Sequence, residues 1–155
     1  MDLAGGPVPD DIDGFSLKDL LEGDPSNHPR QHALMFGQKC LTQRAIRTKQ
    51  YKLIWNPTPE KRYHQEQIMN TKGKYFHKAW LEWVAAAKTD PDAKAKVNRV
   101  LIHPEFELYD VKADPYETDN LASDPERAAL VKKLHGDLKE SLKEMNDPVM
   151  RPRKK

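Results

Sequence analysis

The chain has 155 residues, and its apolar share of 37% falls short of that of an average domain. Charged residues make up 32%, but 26 Lys and Arg stand against 24 Asp and Glu, and the net charge of +2 excludes a disordered chain dominated by one charge sign and gives no reason to expect a nucleic-acid partner. The lone cysteine, Cys40, excludes an internal disulfide, and no apolar run approaches the roughly 18 residues of a membrane-spanning helix.

Residues 1–31 read as a linker arm. Gly5, Gly6, Pro7, Pro9, Gly14, Gly23, Pro25 and Pro29 punctuate it, and within residues 1–25 Asp2, Asp10, Asp11, Asp13, Asp19, Glu22 and Asp24 face only Lys18. Its first residues lack the basic and apolar regions of a signal peptide, which leaves the compartment undefined. Ser16 to Leu21 predicts one or two helical turns, too short to be stable unless docked.

A strand is predicted over His32 to Phe36, and a hairpin over Gln43 to Thr48 and Tyr51 to Asn56. Tyr51, Leu53 and Trp55 alternate with Lys52, Ile54 and Asn56, the period of two that a strand requires. Pro57 and Pro59 stop the second strand, since proline has no N–H for the ladder. Residues 60–73 are polar and carry no clear pattern.

Tyr75 to Lys88 predicts a helix with Phe76, Trp80, Trp83, Val84 and Ala87 on one stripe, Trp80 and Trp83 being read as core rather than as a sugar platform. Thr89 or Asp90 caps a second helix with Pro91 in its first turn and Ala93, Val97 and Leu101 on its buried face. His103 and Pro104 end it. Phe106 to Val111 predicts the last strand, and Asp114-Pro115 a turn. A final helix over Pro125 to Met145, capped by Ser123 or Asp124, has Leu130, Val131, Leu134, Leu138, Leu142 and Met145 as its stripe. Asn146-Asp147-Pro148 closes it, and residues 149–155 read as a basic, disordered tail. The elements add up to an α+β layer over residues 32–148: a small antiparallel sheet of about four strands with helices on one face and a C-terminal helix.

Chemistry-bearing clusters are sparse. His28, His32, His64, His77, His103 and His135 fall into no metal-ligand spacing, so no metal site is expected in this chain. Asp110, Asp114, Glu117, Asp119 and Asp124 match no calcium-loop pattern and are read as turn formers and helix caps. Lys39, Arg44, Arg47, Lys49 and Lys52 make the hairpin basic, and charge-assisted bonds from such a patch suit the oxyanions of a sulfated saccharide. Lys39 and Arg44 are the candidate substrate contacts.

Three blocks carry a family resemblance. Asp2-Leu-Ala-Gly-Gly-Pro-Val-Pro9 with Asp13-Gly14-Phe-Ser16-Leu17 resembles the segment that leaves the catalytic domain of type I sulfatases. Arg44-Ala-Ile-Arg47-Thr48-Lys-Gln-Tyr51-Lys52-Leu-Ile54 is similar to the first hairpin of their C-terminal subdomain. Glu107-Leu-Tyr-Asp-Val-Lys-Ala-Asp114-Pro115 followed by Asn120-Leu-Ala-Ser-Asp-Pro125 resembles its last strand and helix. Ile54-Trp55-Asn56, His103-Pro104-Glu105-Phe106-Glu107-Leu108 and Asn146-Asp147-Pro148 are similar to the heparan N-sulfatase branch, the N-sulfoglucosamine sulfohydrolases.

The resemblance implies hydrolysis of a sulfate ester or sulfamate by a formylglycine made from the cysteine of C-x-P-S-R, with calcium polarising the sulfate. Those groups are expected only in a catalytic domain that this chain lacks. Cys40-Leu-Thr-Gln-Arg44 has Thr42 and Gln43 where the motif needs Pro and Ser, so no catalytic residue is assigned. The implied partner is that catalytic domain, with a sulfated saccharide as a further one. Two rival readings stay open: a polyanion-binding module using Lys39 and Arg44, and a degenerate, truncated gene product.

Overall fold

A computed structural model describes residues 2–12, 14–24, 30–37, 42–62 and 76–151, with the side chains of Phe76 and His77 excepted. Four strands form one sheet in sequence order: β1 (Ala33–Phe36), β2 (Arg44–Arg47), β3 (Tyr51–Trp55) and β4 (Phe106–Asp110). Every neighbouring pair is antiparallel. The helices are α1 (Lys18–Leu21), α2 (Phe76–Ala86), α3 (Pro91–Leu101) and α4 (Ala128–Glu144). No helix among the described residues is long and apolar enough to cross a membrane.

Register explains the core. Leu34 pairs with Ile46, Ile46 with Leu53, and Leu53 with Leu108, so four apolar side chains form one row across the sheet. Alternation puts them all on one face. There α4 lays Val131, Leu134, Leu138 and Leu142 against them, the stripe of the predicted helix. Ile46, Leu53, Leu108, Leu138 and Leu142 are completely buried. Met145, the last residue expected on that stripe, is half exposed. It lies past the end of α4, where the chain has begun to turn away.

The ends of α4 follow local chemistry. The Asp124 carboxylate accepts from Glu126 N–H, and Pro125 starts a short 3-10 turn before the helix proper. At the other end Asn146 takes a left-handed φ of 53°. Asp147 N–H bonds Leu142 C=O and Asn146 N–H bonds Lys143 C=O, the paired bonds of a Schellman stop.

The chain after α4 departs from the expected tail. Pro148–Met150 forms another 3-10 turn, capped by Asp147, and Val149 and Met150 pack against the core. Two apolar residues beside an open core edge gain more from burial than from freedom. Residues 152–155 of the expected tail lie outside the described residues.

The other predicted elements hold with small shifts. Asp90 caps α3 through Asp92 N–H and Ala93 N–H, and Val97 is buried. Within the arm, α1 is a single turn, and no described residue before residue 25 is buried. Whereas α4 covers one face of the sheet, α3 and the end of α2 border the other.

Candidate functional site

Alternation also decides what the second face carries. Ala45, Ile54 and Glu107 form one cross-strand row on it, and Arg47, Lys52 and Tyr109 the next. Over this face opens a cavity of about 550 Å³, within the range of small-molecule sites. Ile54 and Val100 supply apolar lining, Glu107, Tyr109, His103 and Arg99 a polar wall, and Trp83 and Tyr116 aromatic surface.

The polar wall is organised around one carboxylate. Tyr109 donates its hydroxyl to Glu107 Oε2 at 2.6 Å, and His103 Nδ1 lies 2.9 Å from Oε1. Glu107 and Tyr109 are buried. Burial pushes the Glu107 carboxyl up. The hydrogen bonds from His103 and Tyr109 and the positive fields of His103 and Arg99 outweigh burial, so the group lies below the usual carboxylate range. Burial pushes the Tyr109 phenol well up, and donation to Glu107 adds to it. Neighbouring bonds fix the rim: Arg99 Nη2 donates to Glu117 C=O, and Lys52 Nζ sits 2.6 Å from Glu117 Oε2. Asn56 Nδ2 donates to His103 C=O, tying the end of β3 to the segment entering β4. Chemically, the cluster can orient a ligand and hold a proton; it contains no nucleophile paired with a base.

Of the candidate substrate contacts, Lys39 lies outside the described residues, as does Cys40. Arg44 is on the core face, held by Asp147: Nε lies 2.9 Å from Oδ2 and Nη2 3.0 Å from Oδ1. Nη1 donates to Gln43 C=O, and the guanidinium lies 5.5 Å from the Phe36 ring centre. Of the other hairpin cations, Lys52 joins Glu117 on the second face, while Arg47 and Lys49 are exposed. The strand pleat therefore divides the basic hairpin between two faces.

The acidic residues after β4 shape the backbone. Asp110 accepts from Lys112 N–H and Ala113 N–H, and Asp114 from Thr118 N–H and Asp119 N–H. Glu117 adopts a positive φ of 54°. Asn120 accepts from Leu108 N–H and Ala122 N–H and donates to Phe106 C=O. Among the described residues no three of His, Cys, Asp and Glu are grouped to hold a metal ion. These residues do not fit a calcium site, because the Asp110 and Asp114 carboxylates are taken up by backbone N–H groups.

Trp83 corrects the expected tryptophan core: it is 53% exposed and lines the cavity, while Trp80 is half-buried. Trp83 sits on the side of α2 that borders the open cavity, which leaves its ring in contact with solvent. The Glu107 network was absent from the sequence reading, although a signal existed. Glu107 and Tyr109 flank the core residue Leu108, which places two polar side chains together on the opposite face.

No protein-family model matches the chain. It is 31% identical over 153 residues to the ulvan-active sulfatase of Formosa agariphila, a match covering 95% of this chain and 28% of that protein. The structure of BT4656 in complex with its substrate D-glucosamine-2-N,6-O-disulfate aligns over 97% of this chain and 24% of its own, with 26% identity and a TM-score of 0.57. BT1596, a 2-O GAG sulfatase, shares the fold with a TM-score of 0.54 at 20% identity, over 94% of this chain and 23% of its own. Sulfatase homology thus extends along nearly the whole chain, which corresponds to the C-terminal part of the Formosa agariphila enzyme. The chain spans 28% of that sulfatase's length and 24% of BT4656's.

Proposed function

We propose that this chain is the C-terminal subdomain of a sulfatase-type hydrolase of the heparan N-sulfatase kind, and that it acts as scaffold for chemistry done elsewhere. The observation that carries the reading is the match of 95% of this chain to 28% of a sulfatase. The sulfated glucosamine of BT4656 supports an N-sulfated or O-sulfated amino sugar as the substrate of the whole protein. The Ile54-Trp55-Asn56 and Asn146-Asp147-Pro148 segments support the finer branch. On this reading a catalytic domain supplies the formylglycine nucleophile and calcium, and residues 1–31 are the arm leading from it.

The test is to sequence upstream of the Met1 codon and express whatever open frame continues. The expected result is a frame containing C-x-P-S-R whose product releases sulfate from N-sulfated glucosamine, while residues 1–155 alone release none. An in-frame stop close upstream, or calcium-dependent sulfate release by residues 1–155 alone, would overturn the proposal. The rival polyanion module draws less support, since the Arg44 fork is clamped to Asp147.

A further inference from the structure

We infer that the cavity on the second face of the sheet is a binding site for a pyranose carrying an anionic substituent. Three observations converge on it. Two aromatic side chains from separate elements meet at the cavity: Trp83 from the last turns of α2 and Tyr116 from the loop after β4. They are 53% and 87% exposed. Large aromatic surface left in water costs free energy, and a flat ring that is apolar on its face and polar at its edge matches the C–H face of a sugar.

The second observation is the cation at the same cavity. Lys96 lies on α3 one turn before Arg99 and lines the space beside Trp83. It is exposed and has no hydrogen-bond or ion-pair partner among the described residues. The other charges there are engaged. Arg99 holds the Glu117 carbonyl, Lys52 holds the Glu117 carboxylate, and Glu107 holds His103 and Tyr109. The uncommitted charge of the cavity is therefore positive, which suits an oxyanion on the ligand.

The third is rigidity. The polar wall is held by hydrogen bonds among its own groups, that of Tyr109 to Glu107 buried and that of His103 to Glu107 part-buried, so the cavity keeps its shape and a ligand pays little for ordering it. A sulfate or a carboxylate on the sugar would present the same charge to Lys96. The choice of a sugar as ligand rests on the proposed function, whereas the cavity rests on this chain's own residues, so a failure to bind sugars leaves the sulfatase reading to its own upstream-frame test.

The test is a titration of residues 1–155 with three disaccharides, one sulfated, one bearing only a uronate carboxylate and one neutral, read by tryptophan fluorescence and calorimetry. The expected result is that an anionic sugar binds at least tenfold more tightly than the neutral one, with quenching of Trp83. Comparing the sulfated with the uronate ligand identifies which anion is preferred. Trp83→Ala is expected to weaken binding about tenfold, and Lys96→Glu to weaken the anionic ligand about tenfold while sparing the neutral one. Lys96→Glu alters a solvated side chain, so the test survives if Trp83→Ala fails to fold. Absence of binding to all three sugars, or affinity unmoved by Lys96→Glu, would overturn the inference.

Discussion

Arg44 and Asp147, 103 residues apart in sequence, face each other as a two-bond fork: Nε to Oδ2 at 2.9 Å and Nη2 to Oδ1 at 3.0 Å. The pair joins strand β2 to the turn after α4, and so clips the last helix to the sheet. Its side chains are 12% and 8% exposed, so water offers neither partner a replacement. Asp147 also accepts from Val149 N–H, which holds the turn that tucks Val149 and Met150 onto the core.

Arg44→Ala therefore leaves a nearly buried carboxylate without its cation and is expected to cost about 3 kcal/mol. Asp147→Ala leaves the guanidinium without its carboxylate and is expected to cost a similar amount, whereas Arg44→Ala with Asp147→Ala should cost much less than the sum. Urea denaturation of the four proteins measures the coupling; additive losses would show that the fork is not acting as a pair. Burial pushes the Asp147 carboxyl up, but bonds from Arg44 and Val149 N–H and the charges of Arg44 and Arg151 hold it below its ordinary value. A depressed folded pKa means that this stability is fully present above about pH 4 and is lost as pH falls through the folded value.

Glu107 is the acceptor for two groups at once. Glu107→Ala leaves the buried Tyr109 hydroxyl and the half-buried His103 ring without it and is expected to cost about 2 kcal/mol. Glu107→Gln keeps one acceptor oxygen and should cost less. The carboxyl sits below its ordinary range, so its contribution too is complete above about pH 4 and fades as the medium is acidified. Chemical denaturation between pH 3 and pH 7 checks both points: the difference between wild type and Glu107→Gln should shrink toward the acid end.

His135 sits between Trp55 and Phe106, with ring centres 4.9 Å and 4.8 Å away, and its Nε2 is buried without a hydrogen bond among the described residues. Burial, foremost, and the Lys139 charge push its pKa down, and the Glu105 charge opposes them with a smaller effect. Protonation therefore favours the unfolded chain, and stability is expected to fall as pH drops below about 6.5. His135→Phe keeps an aromatic ring there and removes the titration. Melting temperatures from pH 8 to pH 5 should show the variant gaining on wild type as pH falls; a constant gap would contradict this.

Asn120 bonds the backbone at both ends of its amide, accepting from Leu108 and Ala122 N–H groups and donating to Phe106 C=O. It replaces a fifth strand along the outer edge of β4. Asn120→Ala is expected to cost about 2 kcal/mol, and hydrogen exchange at Leu108 should accelerate markedly. Asn120→Asp keeps the acceptor and loses only the donor, so Leu108 should remain protected in it.

The sequence by itself determined the elements, because their signals are local. The alternation of Tyr51, Leu53 and Trp55 specifies a strand, the four-residue spacing of Leu130, Leu134, Leu138 and Leu142 a helix, and Asp90, Asp124 and Asn146 their ends. The acids after β4 were legible as turn formers for the same reason, since a carboxylate reaches N–H groups two to five residues ahead. The tertiary structure alone decided the site. Whether a cation is free or clamped depends on what lies opposite, and the partner of Arg44 is a residue 103 positions away that no spacing rule connects to it. Likewise Trp83, Lys96, Glu107 and Tyr116 belong to four separate segments, and only the fold over the second face of the sheet brings them around one space.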